Sequence, residues 1–393
     1  MFSARTRWDA TANPLAEAVA RRRARGLRLL DLTESNPTSV GLGFPADALL
    51  AALADEGSAL YQPHPLGLES ARRAIASYYA ASGLTAPPER TVVTSSTSEA
   101  YAFLFKLTCD PGDEVLVPEP SYPLFGYLAG LESVRTRGYP LRYDGEWHLD
   151  RDALLQTIGP RTRAVVAVSP NNPTGSYLKR DELAFLSGVC AERGLALLCD
   201  EVFADFPLEA PADRTVGVLA QTEALAFALS GASKIAALPQ LKIGWLVAGG
   251  PQELVARAME RLEIVADSYL SPSTPAQLAL PKVLARRELA QAPLRARLAR
   301  NLAALDALHG PRSAWQRRRV EGGWTAVLQI PAVRPEQEWA VRLVEEEGVL
   351  VHPGFFYDFP SPAFVAVSLI VPPDEFREGL ERLARRFDEG CGR

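Results

Sequence analysis

The chain is predicted to be an α/β protein: a large domain with a mostly parallel sheet of the seven-stranded type covered by helices, plus a smaller α+β domain. Three observations predict it. Short strands, apolar on both faces, alternate with helical stretches from about residue 90 to 270, as in a parallel sheet buried on both sides. The pattern changes character after about residue 271, where helices and strands no longer alternate regularly. The length, 393 residues with 47% hydrophobic, suffices for two domains with separate cores. Residues 1–39 read as an N-terminal arm packing with the small domain, 40–270 as the large domain and 271–393 as the small one.

In order, residues 14–25 predict a helix and 29–33 a short extended piece. Strands are expected at 91–93, 113–117, 163–168, 195–199, 224–229 and 244–248, and helices at 98–109, 123–130, 181–193 and 253–266. The second part predicts helices at 295–308, 336–347 and 373–387 and strands at 322–330, 349–351 and 364–369. No internal repeat or low-complexity segment interrupts this order.

The net charge of -5 argues against nucleic acid or an anionic membrane as partner. Five of the 42 basic residues are lysines, and the run Arg21-Arg22-Arg23 reads as a solvated helix face. Cys109, Cys190, Cys199 and Cys391 form no CxxC pair, which suits a reducing compartment. The first residues, with Arg5, Arg7 and Asp9, lack an apolar leader core, and no stretch reaches the roughly 18 apolar residues of a membrane span. A soluble cytoplasmic protein is expected. His64, His148, His309 and His352 are not spaced as metal ligands, so no metal is expected; His352 reads as structural, although His352-Pro353-Gly354 can approach a substrate.

Four polar segments follow apolar strands, where parallel sheets bind ligands. Thr94 to Glu99 lies between a strand and a helix; its hydroxyls and N–H groups suit an anion, though an ordinary helix cap explains it as well. Ser169-Pro170-Asn171-Asn172-Pro173-Thr174-Gly175 turns the chain and projects Asn172 as a donor. Asp200-Glu201 ends a strand of five apolar residues, where a carboxylate needs a cation or a donor. Ser230-Gly231-Ala232-Ser233-Lys234 ends another, with Lys242 eight residues on. A strand-end crevice lowers a lysine's pKa by desolvation, which makes its amine a nucleophile.

Together these segments resemble the class I/II aminotransferases, which are fold type I pyridoxal-phosphate enzymes, from about Leu32 to Leu383. The resemblance implies an enzyme that binds pyridoxal 5'-phosphate and moves an amino group between an amino acid or amine and a 2-oxo acid. By it, Lys234 carries the cofactor as a Schiff base and moves the proton. Asp200 would pair with the pyridinium nitrogen, Asn172 would donate to the phenolic oxygen, and Tyr122 would stack on the ring. Ser96, Thr97, Ser98, Ser230 and Lys242 would hold the phosphate. Tyr61 matches a tyrosine that reaches the neighbouring subunit's phosphate, which implies a homodimer with shared sites. Ser35 and Asn36, with Asn172, would meet the substrate.

Four positions depart from the family's pattern. Lys242 stands for an arginine and loses its fork. Phe203 stands for a tyrosine that donates to the phenolic oxygen. Ser35 replaces a glycine before Asn36-Pro37, and Ala366 falls where the family has its substrate-carboxylate arginine. Two other readings stay open: β-elimination, decarboxylation or oxidation on the same cofactor, and a non-catalytic relic of the fold.

Overall fold

The structure is a computed structural model that describes residues 1–8, 11, 13–221, 223–311 and 313–390. Asp9 and Cys391 lie outside the described residues. The arm contains α1 (Pro14–Ala24) and β1 (Leu30–Asp31). Asn13 accepts the Ala16 N–H at 2.8 Å, and Pro14 occupies the first turn, where no N–H is needed. Two helices without a prediction follow, α2 (Ala46–Leu53) and α3 (Glu69–Ala80).

The large domain continues with β2 (Thr91–Thr94), α4 (Thr97–Thr108), β3 (Glu114–Glu119), α5 (Phe125–Leu131), β4 (Arg135–Tyr143) and β5 (Trp147–Leu149). Then come α6 (Arg151–Thr157), β6 (Thr162–Val168), α7 (Arg180–Arg193), β7 (Ala196–Asp200), β8 (Ala226–Gly231), α8 (Ala232–Ile235), β9 (Gly244–Gly249) and α9 (Gln252–Tyr269). The strands lie in the order β2-β9-β8-β7-β6-β3-β4-β5. The sheet therefore has eight strands rather than seven, the eighth being the short β5, an antiparallel partner of β4 at the edge. Apart from β5, only β9 opposes its neighbours. Ala164 and Val166 pack into one core and Val165 and Ala167 into another, so both faces of the sheet are covered, as the continuous apolar runs predict.

The remainder comprises α10 (Thr274–Ala285), α11 (Glu288–Leu308), β10 (Gln316–Arg317), β11 (Thr325–Gln329), α12 (Glu336–Arg342), β12 (Val349–Leu350), β13 (His352–Pro353), β14 (Phe364–Ser368) and α13 (Pro373–Gly390). Four of its strands form the antiparallel sheet β10-β11-β14-β13. α10, expected in the small domain, packs instead on α2 and α3 of the large one. The start of α11 was expected beyond Pro293, yet the helix runs through that proline from Glu288. The expected helix 336–347 is α12 plus a π-helical turn, Leu343–Glu347, ending at Gly348 with φ 67°.

The arm sits on the small domain: α1 packs on α12 and the π turn, and β1 pairs in parallel with β12. The arginine run is more than a solvated face. Arg22 donates to the carbonyls of Val344 at 3.0 Å and Glu345 at 3.1 Å, and Arg21 pairs with Glu345 at 2.8 Å.

Candidate active site

The carboxyl ends of β2, β3, β6, β7 and β8 open into a cleft of about 350 Å³, closed on its other side by the arm and the small domain. Because β9 runs antiparallel, its first residue, Gly244, lies at the same edge and faces both Thr94 and Gly231. A Cβ on Gly244 would sit 3.0 Å from the Ser96 carbonyl carbon and 3.2 Å from the Ser230 oxygen, so a glycine lets the Ser96 turn approach. Ser96 then caps α4 by accepting the Glu99 N–H at 3.1 Å, while the Glu99 carboxylate accepts the Ser95 N–H at 2.6 Å. Thr97 and Ser98 line the cleft as the first residues of α4, where N–H groups have no partner within the helix. Hydroxyls, first-turn N–H groups and the helix dipole give this end the chemistry that suits an anion.

Lys234 follows β8 on the short helix α8, and its Nζ lies 4.9 Å from the Trp324 ring centre and 5.5 Å from that of Phe203. Burial pulls its pKa down to about 8, opposed by the charge of Asp200. Asp200 ends β7 and is pushed up to about 6 by burial. The Val202 N–H at 3.1 Å, the Tyr101 hydroxyl at 3.5 Å and the charge of Lys234 act the other way. Its neighbour Glu201 belongs to a different environment: it accepts the Val218 N–H at 2.6 Å, and burial raises it to about 7. Asn172 is fixed by the Thr325 hydroxyl, which donates to Oδ1 at 3.4 Å and leaves the amide N–H groups for the cleft.

Of the residues singled out from the sequence, Ser35, Ser96, Thr97, Ser98, Tyr122, Asn172, Asp200 and Lys234 line this one cleft. Four do not. Ser230 stays inside the sheet, paired with Trp245, because β8 runs two residues further than expected; its buried Oγ has no partner among the described residues, and Gly231 and Ser233 line the cleft instead. Asn36 is exposed and occupied by its own turn, accepting the Thr38 N–H at 3.1 Å and donating to the Ser39 hydroxyl at 2.8 Å. Lys242 is exposed, with φ 52°, beside the cleft-lining Ile243. Tyr61 is exposed away from the cleft.

Phe203 and Ala366 both face the cleft, each without a polar side chain. His352, expected to be structural, lines it as well, its Nδ1 2.9 Å from the Tyr357 hydroxyl. Sequence reasoning missed Thr33, Trp324, Thr325 and Tyr357, which reach the cleft across the domain boundary, and Tyr101, which supports Asp200 from within α4. Gly322-Gly323 ahead of Trp324 was the one available signal: a Cβ on Gly322 would lie 2.6 Å from the Tyr177 ring.

A family model described as aminotransferase class I and II matches residues 29–383. The aspartate/prephenate aminotransferase of Thermus thermophilus is 31% identical over 388 residues, covering 96% of this chain and 95% of that one. The glutamate-pyruvate aminotransferase of Escherichia coli is 28% identical over 272 residues, covering 69% of this chain and 67% of the other. Among solved structures, an aminotransferase from Escherichia coli superposes with a TM-score of 0.85 at 25% identity, covering 98% of both chains.

Proposed function

The chain belongs to the class I and II aminotransferases, and within that family we propose that Lys234 is the residue that binds pyridoxal 5'-phosphate covalently and moves the proton. The family makes it a pyridoxal-phosphate-dependent transferase of amino groups. The observation that carries the assignment of Lys234 is its desolvated amine in the crevice shared with Asp200, Asn172 and the N-terminus of α4.

The residues present fit the cofactor. The first turn of α4 offers Thr97 and Ser98 to a phosphate, with the hydroxyl of Ser233 in the place expected of Ser230. Asp200, with a pKa of about 6, is anionic at neutral pH and would hold a proton on the ring nitrogen of the bound cofactor. Asn172 donates from its free amide, and Tyr122 gives a flat face at the rim. When bound, pyridoxal phosphate supplies the carbonyl that captures an amine and the ring that takes up the electron pair left on the substrate carbon. Lys234, with a pKa of about 8, keeps a fraction of free amine at neutral pH, so it serves as nucleophile and then as proton carrier. Phe203 and Trp324 keep water from that proton.

The substrates read as an amino acid or amine and a 2-oxo acid. A homodimer with shared sites is part of the same proposal. Its support is the exposure of Leu60, Tyr61, Tyr269 and Leu270, which lie on two segments tied together by the hydrogen bonds between His64 and Ser271. Lys242 keeps its charge outside the cleft and is assigned to the phosphate at longer range. Cytoplasmic location rests on the free buried thiols Cys190 and Cys199; among the described residues no helix is long and apolar enough to cross a membrane. Borohydride reduction followed by peptide mapping tests the reading: the cofactor should be fixed to the peptide containing Lys234. Lys234→Ala should lose turnover while binding cofactor without a covalent bond. Transfer of isotope-labelled nitrogen from donor to acceptor separates transamination from elimination, decarboxylation and oxidation.

A further inference from the structure

The arm and the small domain build one wall of the cleft from Thr33, Ser35, Thr325, His352, Tyr357 and Ala366. Among the described residues that line the cleft, Lys234 is the only one with a lysine or arginine side chain, and it faces Asp200. Ala366 ends at its methyl group in the middle of β14, in register with His352 and Val327. His352 is kept neutral, since burial lowers its pKa, and its partner Tyr357 holds its own proton because burial raises that pKa.

The charges the arm brings to this rim are negative. Asp31, whose field reaches His352, accepts the Thr33 N–H at 2.9 Å and the Thr33 hydroxyl at 2.5 Å. Glu34 accepts the Asn36 N–H at 2.7 Å. These backbone donors are therefore committed and cannot stand in for a cation. A carboxylate here would lose hydration and gain neutral donors alone, the Asn172 amide, the Trp324 indole N–H, hydroxyls and an imidazole, with the field of Asp31 acting against it. A hydroxyl loses little and finds both donors and acceptors.

We propose that the preferred amino donor is a primary amine of the amino-alcohol type, with no carboxylate on the carbon that bears the nitrogen. The proposal rests on the assignment of Lys234 above. The exchange balances as in any transamination: the donor's CH–NH2 leaves as C=O while the acceptor's C=O leaves as CH–NH2, with no external oxidant. Carboxylate-bearing partners, 2-oxo acids included, react only at raised concentration.

The holoenzyme is compared with alanine against alaninol and phenylalanine against phenylalaninol, each with labelled nitrogen and 2-oxoglutarate as acceptor, so that the labelled product differs from every donor. Maleate binding is measured beside it by calorimetry. Each alcohol should exceed its acid in kcat/KM by about tenfold or more, the effect of one missing charge-assisted partner. Maleate should bind Ala366→Arg at least about tenfold more tightly than it binds the parent, and that variant should turn the preference toward the acids. An acid that equals or beats its alcohol overturns the proposal, as does maleate bound by the parent as tightly as by the variant. If neither member of a pair transfers nitrogen while borohydride still labels Lys234, the donor class is wrong and the lysine assignment stands. A label on another peptide would instead remove the assignment beneath it.

Discussion

The buried ammonium of Lys179 donates to the Glu321 carboxylate at 3.0 Å and to the Trp147 carbonyl at 2.7 Å. Glu321 also accepts the Tyr177 N–H at 2.7 Å. This pair ties the loop that carries Asn172 to the segment that carries Trp324, so two cleft walls from different domains share one anchor.

Removing one member leaves the other charged and dry. Glu321→Ala should therefore cost about 3–5 kcal/mol in denaturant unfolding. The double variant with Lys179→Met should recover a good part of that loss. Equal losses in single and double variants would mean that the pair does not act as a unit.

Asp200→Asn should lose most activity, a barrier change of several kcal/mol, because an amide cannot hold a proton on the ring nitrogen. In the cofactor-free protein it should do the opposite to stability. The folded pKa of Asp200, about 6, lies above its ordinary 3.8, so between these values the folded state binds the extra proton. The parent loses stability as pH rises through that window, by at most about 3 kcal/mol, and the asparagine variant does not. Thermal melts from pH 3 to 8 should show the two proteins separating above pH 4, the variant being the more stable.

Gly244→Ala puts a methyl group 3.0 Å from the Ser96 backbone and must push back the first turn of α4. Its stability cost should be about 1–3 kcal/mol. Cofactor affinity, read by dialysis and absorbance, should fall about tenfold, since the N–H groups of that turn lose their aim. Unchanged affinity would mean that the phosphate is held elsewhere.

Tyr61 lies among exposed apolar residues, outside the cleft of its own chain. Sedimentation should give twice the chain mass. Tyr61→Phe should leave that mass unchanged and weaken cofactor binding by about tenfold, the loss of one hydrogen bond to a charged group. A monomer at micromolar concentration would refute the shared site.

Much of the cleft was legible because strand ends are local features. Asp200, Asn172, Lys234 and the α4 cap each follow a short apolar run, and the sheet's own geometry gathers such ends. Ser230 lies outside the cleft because pairing continues through Gly231, which keeps Ser230 within the strand and its hydroxyl buried. Thr33, Trp324 and Tyr357 were out of reach because their place depends on how the arm and small domain dock, and no periodicity encodes that. Helices α2 and α10 escaped for a similar reason: each takes its shape from packing on the other.

The two-residue pairing of Leu30 and Asp31 with Val349 and Leu350, continued by the Ser368 N–H donating to the Leu32 carbonyl at 2.7 Å, joins segments that lie on either side of the whole large domain in the order of synthesis. A ribosome that has made the large domain has thus released a nascent chain whose lysine and aspartate stand in an open half-groove. The segment bearing Thr33 and Ser35 has to wait, unpaired, until Val349 and Leu350 have been made. That interval exposes Leu30 and Leu32, both buried in the finished fold, to chaperones or to aggregation. Cofactor capture during synthesis would accordingly be a late event, and truncation before residue 349 should yield a chain that cannot close its own site.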